Sequence, residues 1–305
     1  MKKFLLRASC LLLFYGSQVA YADSSDLSLK AGFRSDKLDW NIAGDTEGHN
    51  PNILSELIWE GVKIFEVKAG YRGDLNKKQY LKCSFGYGWI NDGDNQDSDY
   101  KGDNRTQEYS RSNNDADEGS VWDLSLGIGF KNEVTPDLSV NPAVGVSFHR
   151  QNLVIRNGHQ TVASIGTPPV GPINNLNSRY KANWYGPWAG VDAGYKAAEK
   201  LAFTAGAELH IARFIAEADW NLRTDLDHPK SFEHTALGAG FATEAGAEYA
   251  YGEGWALTAN AGYQRWKAFS GRDRTFFKNG AASDTRLNAV NWSSFVFSVG
   301  AGYSF

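Results

Sequence analysis

Two short stretches hold the side chains whose types and spacing suit chemistry. The first runs Asn91-Asp92-Gly93-Asp94-Asn95-Gln96-Asp97-Ser98-Asp99-Tyr100, with Asp97 and Asp99 one residue apart. Carboxylates that close raise each other's affinity for a proton, and such a pair can share one and activate a water. The second is Asp225-Leu226-Asp227-His228, which sets an imidazole beside two carboxylates. Imidazole titrates near neutral pH, so His228 is the candidate general base and Asp225 or Asp227 its orienter. The acidic stretch has two blander readings. It suits a solvated loop, and Asp97, Asp99, Gly102 and Glu108 also fall on positions of the EF-hand calcium pattern, with Lys101 at a ligand position and no flanking helices.

Other hydrolytic signatures are missing. No Gly-x-Ser-x-Gly, His-Glu-x-x-His or His-x-Ser occurs, so serine hydrolase, zinc protease and His-Ser lipid hydrolase lose their usual support. Of His49, His149, His159, His210, His228 and His234, most read as lining a lumen or solvated loops. No metal or cofactor is called for.

What must position these residues follows from the rest of the 305-residue chain. A hydrophobic content of 42% and a mean hydropathy of −0.44 exclude a bundle of membrane-spanning helices. With 31 basic against 35 acidic residues and abundant Gly, Tyr, Trp and Phe, the composition is neither disordered nor nucleic-acid-binding. The opening Met1-Lys2-Lys3 to Arg7, the apolar run Leu11 to Tyr15 and the small-x-small Ala20-Tyr21-Ala22 read as a secretory signal peptide over residues 1–22. Its removal takes Lys2, Lys3 and Arg7 and no acid, leaving 28 basic against 35 acidic residues, a net −7. Cys83 is then the one remaining cysteine, so no intrachain disulfide forms.

Residues 23–305 read as a succession of period-two segments. The last is the clearest, with Phe295, Phe297, Val299, Ala301, Tyr303 and Phe305 on one face and Ser298, Gly300, Gly302 and Ser304 on the other. The pattern recurs in Leu27–Phe33, Leu81–Trp89, Trp122–Phe130, Leu138–Phe148, Ala189–Tyr195, Phe203–Ile211, Leu237–Tyr251 and Trp255–Tyr263. Leu57 and Trp59 share odd parity with Phe65, Val67, Ala69 and Tyr71, so residues 54–72 read as one long strand and the total is ten. One face is aromatic and aliphatic, and the other carries Gly, Ser and charges such as Asp123, Asp192, Glu208, Glu244 and Glu248. A membrane barrel turns the apolar face to lipid and the polar face inward, and a soluble sandwich does the reverse.

Connection lengths alternate. Long stretches at about 35–52, 91–120, 150–183, 219–235 and 268–290 are separated by short ones at 73–78, 131–136, 196–200 and 251–254. Short periplasmic turns and long external loops produce that alternation in the outer membrane of a Gram-negative bacterium, with both termini in the periplasm. The expected fold is an all-β, ten-stranded antiparallel transmembrane β-barrel, its narrow lumen filled by side chains. Arg72-Gly73-Asp74 then falls on a periplasmic turn and reads as a chance triplet.

In strand order, loop lengths and texture, the chain from residue 23 onward resembles the omptin family of outer-membrane endopeptidases, and Asp97-Ser98-Asp99-Tyr100 is similar to that family's Asp-x-Asp-aromatic element. Tyr185 to Tyr251 resembles its paired strands around the fourth loop. The resemblance implies a site at the barrel mouth, where an Asp pair (Asp97, Asp99) faces an Asp-His pair (Asp227, His228) across an attacking water. It also implies cationic peptide or protein substrates cut near basic residues, and lipopolysaccharide as a partner and activator. The family's Asp-x-His is absent, with Asp225-Leu226-Asp227-His228 in the same region and Asn221-Leu222-Arg223 at the position reached by counting along the strand. A non-catalytic barrel acting as an adhesin or binding surface is the alternative.

Overall fold

The computed structural model describes residues 25–305, so the expected signal peptide lies outside the described residues. The strands are β1 (Ser25–Ile42), β2 (Ser55–Asn76), β3 (Gln79–Gly102), β4 (Thr106–Phe130), β5 (Glu133–Thr135), β6 (Leu138–Val162), β7 (Gly171–Ala198), β8 (Leu201–Asp219), β9 (Phe232–Gly252), β10 (Trp255–Ala268), β11 (Gly271–Phe276) and β12 (Ala282–Ser304). Ten of them form an antiparallel ring that β1 and β12 close, from Asp26↔Ser304 to Ile42↔Leu287. The tiny β5 pairs only with β6, and β11 continues the line of β10 because both lie between β9 and β12. Closure leaves no free edge at membrane depth, as a backbone surrounded by hydrocarbon requires. No helix among the described residues is long and apolar enough to cross a membrane.

The outward face bears the expected belt. Leu29, Phe33, Val146, Leu209, Leu237 and Phe297 stand exposed on it, Phe33 at 74% and Leu209 at 72%. Exposure that high for side chains that size is stable only against lipid.

The wall runs well past this belt at one end. β3 and β4 stay paired up to Gly102↔Thr106, and β4 and β6 up to Arg111↔Val162. The stretches expected as long loops are therefore mostly sheet, and the connecting tips shrink to 43–54, 103–105, 163–170, 220–231 and 277–281. Beyond the lipid a strand needs no apolar outer face, so Asp, Asn and Ser fill it and the alternation of hydrophobicity vanishes while the ladder continues. The calcium pattern over Asp97 to Glu108 falls with this, since those residues form a hairpin whose Glu108 holds Arg111 at 2.7 Å.

Residues 55–72 do lie in one strand, with a correction to its faces. Gly61 sits at φ 61° in a bulge between Glu60 and Lys63, a conformation that costs a side chain about 1–2 kcal/mol and glycine nothing. The extra residue flips parity, so Leu57 and Trp59 enter the core while Phe65 and Val67 face out. In β3 the extra residue is Asn91, skipped between Lys63↔Asp92 and Ile64↔Ile90, and nearby Gly93 faces the β2 bulge, where a Cβ would meet Val62 Cα and Ala116 O at 3.0 Å.

The inward face also changes character along the barrel. In the half toward the long tips, buried Trp40, Trp59, Tyr180, Trp184, Phe214, Trp266 and Trp292 fill the lumen, with Trp266 stacked on Trp292 at 5.6 Å and Trp59 on Tyr180 at 5.2 Å. Beneath them lies a charged layer. Arg34 reaches Asp36 through two nitrogens at 2.8 Å, Glu66 at 2.9 Å and Asp123 at 2.6 Å, and Trp292 Nε1 donates to Asp36 at 3.0 Å. Toward the end that carries the termini and short turns, a polar cavity of about 690 Å³ replaces the packed side chains. The lumen is thus filled in one half and hollow in the other. At that end the Arg72 guanidinium stacks on Tyr80 at 3.7 Å and Asp74 accepts from Lys131, which accounts for two residues of the Arg-Gly-Asp triplet.

Candidate functional site at the barrel mouth

Parity decides where Asp97 and Asp99 go. Phe85 and Trp89 are odd-numbered and face outward, so an unbroken β3 would point Asp97 and Asp99 outward too. The bulge at Asn91 turns them in: Asp97 pairs with buried Leu57, and Asp99 with Ser55, on the face that forms the roof of the aromatic layer. The neighbours from β4 are Ser112 and Ser110. Burial is the first cause that pushes the Asp97 carboxyl well above the usual range, and the charge of Asp99 is the second. Asp99 is raised for the same first reason, tempered by hydrogen bonds from the Ser55 and Ser110 hydroxyls. Tyr109 beside them is pushed up to about 12 by burial and by both carboxylates. These acids hold a proton more tightly than free ones, as the spacing suggests.

The opposite wall carries the connection 220–231. It is tied down at several points: Leu226 is buried and bridges Phe277, Asp227 N donates to Phe276 O at 2.9 Å, and Lys278 N donates to Asp225 O at 3.0 Å. Arg223 forks onto Asp225 at 2.9 and 2.7 Å, which lowers the Asp225 carboxyl to about 2. The Arg223 charge also reaches across to Asp97 and Asp99.

His228 has a carboxylate partner other than those expected. Its Nδ1 lies 2.6 Å from Asp219 Oδ1, on the last residue of β8. Asp227 Oδ1 instead accepts the backbone N–H of His228 at 2.9 Å, and Asp225 is committed to Arg223. Adjacent residues point their side chains apart, which is why Asp227 fails as the ring's partner. The other ring nitrogen, Nε2, lies 3.2 Å from the carbonyl oxygen of Arg223. Both neighbours are acceptors, so the doubly protonated imidazolium satisfies both. The Asp219 hydrogen bond accordingly raises the His228 pKa.

The structure therefore brings Asp97, Asp99 and Tyr109 together on one wall, and Asp219, Arg223, Asp225 and His228 on the other. Asp219 and Arg223 escaped the sequence reading. Asp219-Trp220-Asn221 keeps an Asp-x spacing with Asn in the third place, and that was the one local signal for Asp219.

A closed ten-stranded ring with a lipid belt, a lumen packed in one half and a wall raised at one end defines an outer-membrane β-barrel. The chain belongs to the Protochlamydia outer membrane protein family, whose model matches residues 28–305. Among solved structures it is similar to the outer membrane protease OmpT from Escherichia coli, at 14% identity and a TM-score of 0.74, covering 94% of this chain and 99% of that one. It also matches the translocator domain of the autotransporter NalP from Neisseria meningitidis, at 12% identity and a TM-score of 0.37, covering 92% of this chain and 88% of the other. No curated protein matches the sequence. The likeness to OmpT shows a shared fold.

Proposed function

We propose that this outer-membrane barrel, with its termini in the periplasm and its raised wall at the cell surface, binds cationic peptides or proteins at the mouth without hydrolysing them. The observation that carries the reading is the state of His228. Asp219 and the Arg223 carbonyl occupy both ring nitrogens, so the lone pair a general base needs is engaged, and the group facing the acid pair is Arg223. An incoming ammonium or guanidinium group takes the place of the Arg223 charge beside Asp97 and Asp99, and Arg223 keeps Asp225. The excess of acid in the exported chain steers such ligands in.

One arrangement favours a second reading, an omptin-like endopeptidase. Asp97 and Asp99 hold a proton across the mouth from an Asp-His pair, now Asp219 and His228, and the imidazole would have to leave the Arg223 carbonyl to accept a proton from water.

Protein refolded with lipopolysaccharide is mixed with fluorogenic peptides carrying dibasic, monobasic and neutral cores. The expected result is saturable binding of the dibasic peptide by fluorescence anisotropy, weakened at least tenfold in Asp97→Asn, with no cleavage of any peptide. Cleavage that disappears in both His228→Ala and Asp97→Ala replaces this reading with the endopeptidase.

A further inference from the structure

Beyond the acid pair, farther from the membrane, the mouth has a second recess of about 350 Å³. Pro51 and Leu54 at the end of the first tip, Tyr100, Lys101 and Tyr109 on the β3–β4 hairpin, and Ile165 on the tip between β6 and β7 line it. Two of its walls are fastened together. Tyr100 N donates to Leu54 O at 2.8 Å, Asn52 N to Asp103 Oδ1 at 2.8 Å and Asn104 N to Asn52 Oδ1 at 2.8 Å. On the third wall, Ser164 and Thr167 close a turn, with Ser164 N donating to Thr167 Oγ1 at 2.8 Å and Thr167 N to Ser164 O at 3.1 Å. That turn holds Ile165 fully exposed at its corner, so the folded chain alone gains nothing from the apolar surface.

Tyr109 belongs to both the recess and the acid site. It is the extra residue of β4 between the pairs Asp99↔Ser110 and Tyr100↔Glu108, immediately tipward of the residue that faces Asp99. Burial, then the charges of Asp99 and Asp97, hold its phenol up at about 12, as that adjacency requires. Charge divides the two sites. The acids suit a cation, whereas the Lys101 ammonium stands over the Tyr109 ring at 4.9 Å and claims the face that a second cation would use. What remains for the neighbour of a bound cation is aliphatic and aromatic surface.

The geometry points to a subsite for a bulky apolar side chain, formed by Leu54, Tyr109 and Ile165, through which the mouth selects basic residues that have apolar neighbours. This rests on the reading of the mouth as a site for cationic peptides. The occupant is a segment of such a peptide, because its cation answers the acid pair while the next side chain reaches the recess across Tyr109.

The test titrates barrel refolded with lipopolysaccharide against two end-blocked fluorescent peptides of equal charge, Gly-Leu-Arg-Leu-Gly and Gly-Ser-Arg-Ser-Gly, beside the dibasic peptide. By anisotropy the leucine peptide should bind about tenfold more tightly than the serine peptide, which is what burying roughly half a leucine side chain supplies. Ile165→Ser and Leu54→Ser, checked for folding by the heat-dependent gel shift of a barrel, should bring that ratio close to one. Leu222→Ser, which alters an exposed leucine of the connection 220–231, should keep it. Binding of the dibasic peptide with no difference between the other two overturns the subsite and leaves the cationic-peptide reading standing. So does a ratio that survives Ile165→Ser unchanged. Binding of none of the three overturns both.

Discussion

His228 and Asp219 meet at 2.6 Å, Nδ1 to Oδ1, although nine residues separate them and two acids lie closer in sequence. The chain leaves β8 at Asp219, crosses the mouth and returns, so the pair is made by the turn of the connection. It has a direct spectroscopic consequence. Asp219→Asn should bring the His228 pKa down toward the ordinary 6.5 or so, and Asp227→Asn, which removes only a lesser charge effect, should lower it less, as followed by NMR titration of the ring. Because the folded value is raised, the pair's contribution to stability is complete below the unfolded pKa and fades as pH climbs through the folded one.

The acid pair at the mouth predicts a pH dependence of binding. Burial and mutual repulsion raise Asp97 and Asp99, so affinity for a dibasic peptide should increase as pH rises through their shifted titration, later than surface carboxylates would allow. Stability runs the other way. The folded chain holds these protons when the unfolded chain, with carboxyls near ~4, has released them, so the pair costs stability as pH rises between the two values. Asp97→Asn should flatten both profiles, measured by anisotropy and by urea unfolding.

Arg34 is the shared partner of Asp36, Glu66 and Asp123. Arg34→Met keeps the length and strands three carboxylates in the lumen. Breaking a buried network from one side costs about 3–5 kcal/mol, and equilibrium unfolding of the refolded barrel should show a loss in that range.

Gly61 has open space where a Cβ would go, so any penalty there is conformational. Gly61→Ala should cost about 1–2 kcal/mol from its positive φ alone, without a steric clash. A much larger loss, read by the same unfolding curve, would mean that the bulge itself had been removed.

Most of the barrel could be read from residues facing lipid. Phe295 to Phe305, or Phe203 to Ile211, alternate because hydrocarbon demands one apolar face, and ten such segments count the ring. What escaped was wherever that demand lapses. Asp92 to Asp99 and Arg150 to Arg156 continue as strand beyond the lipid with nothing to mark it, and the aromatic layer was hidden because Trp40 and Trp59 sit on the inward face, which lower down carries Gly and Ser. Two inserted residues, at the Gly61 bulge and at Asn91, then reversed the faces of Trp59 and Asp97. At the mouth, spacing marked Asp97 and Asp99 as a carboxylate pair and the resemblance set them at the barrel's rim, whereas the partnership of His228 depended on a return path that local sequence does not record.

With the orientation proposed above, the raised wall bears on how the barrel meets proteases. Proteases act on backbone that can be pulled straight into their clefts, and a hydrogen-bonded sheet does not release it. With β3, β4, β6 and β7 zipped far beyond the lipid belt, the longest connections outside the ladder are 43–54 and 220–231, and the second is itself held by buried Leu226, the Leu226–Phe277 bridge and the bonds between Asp225 and Lys278 and between Asp227 and Phe276. In that orientation, surface shaving nicks 43–54 first and leaves a collar whose fragments stay clasped together.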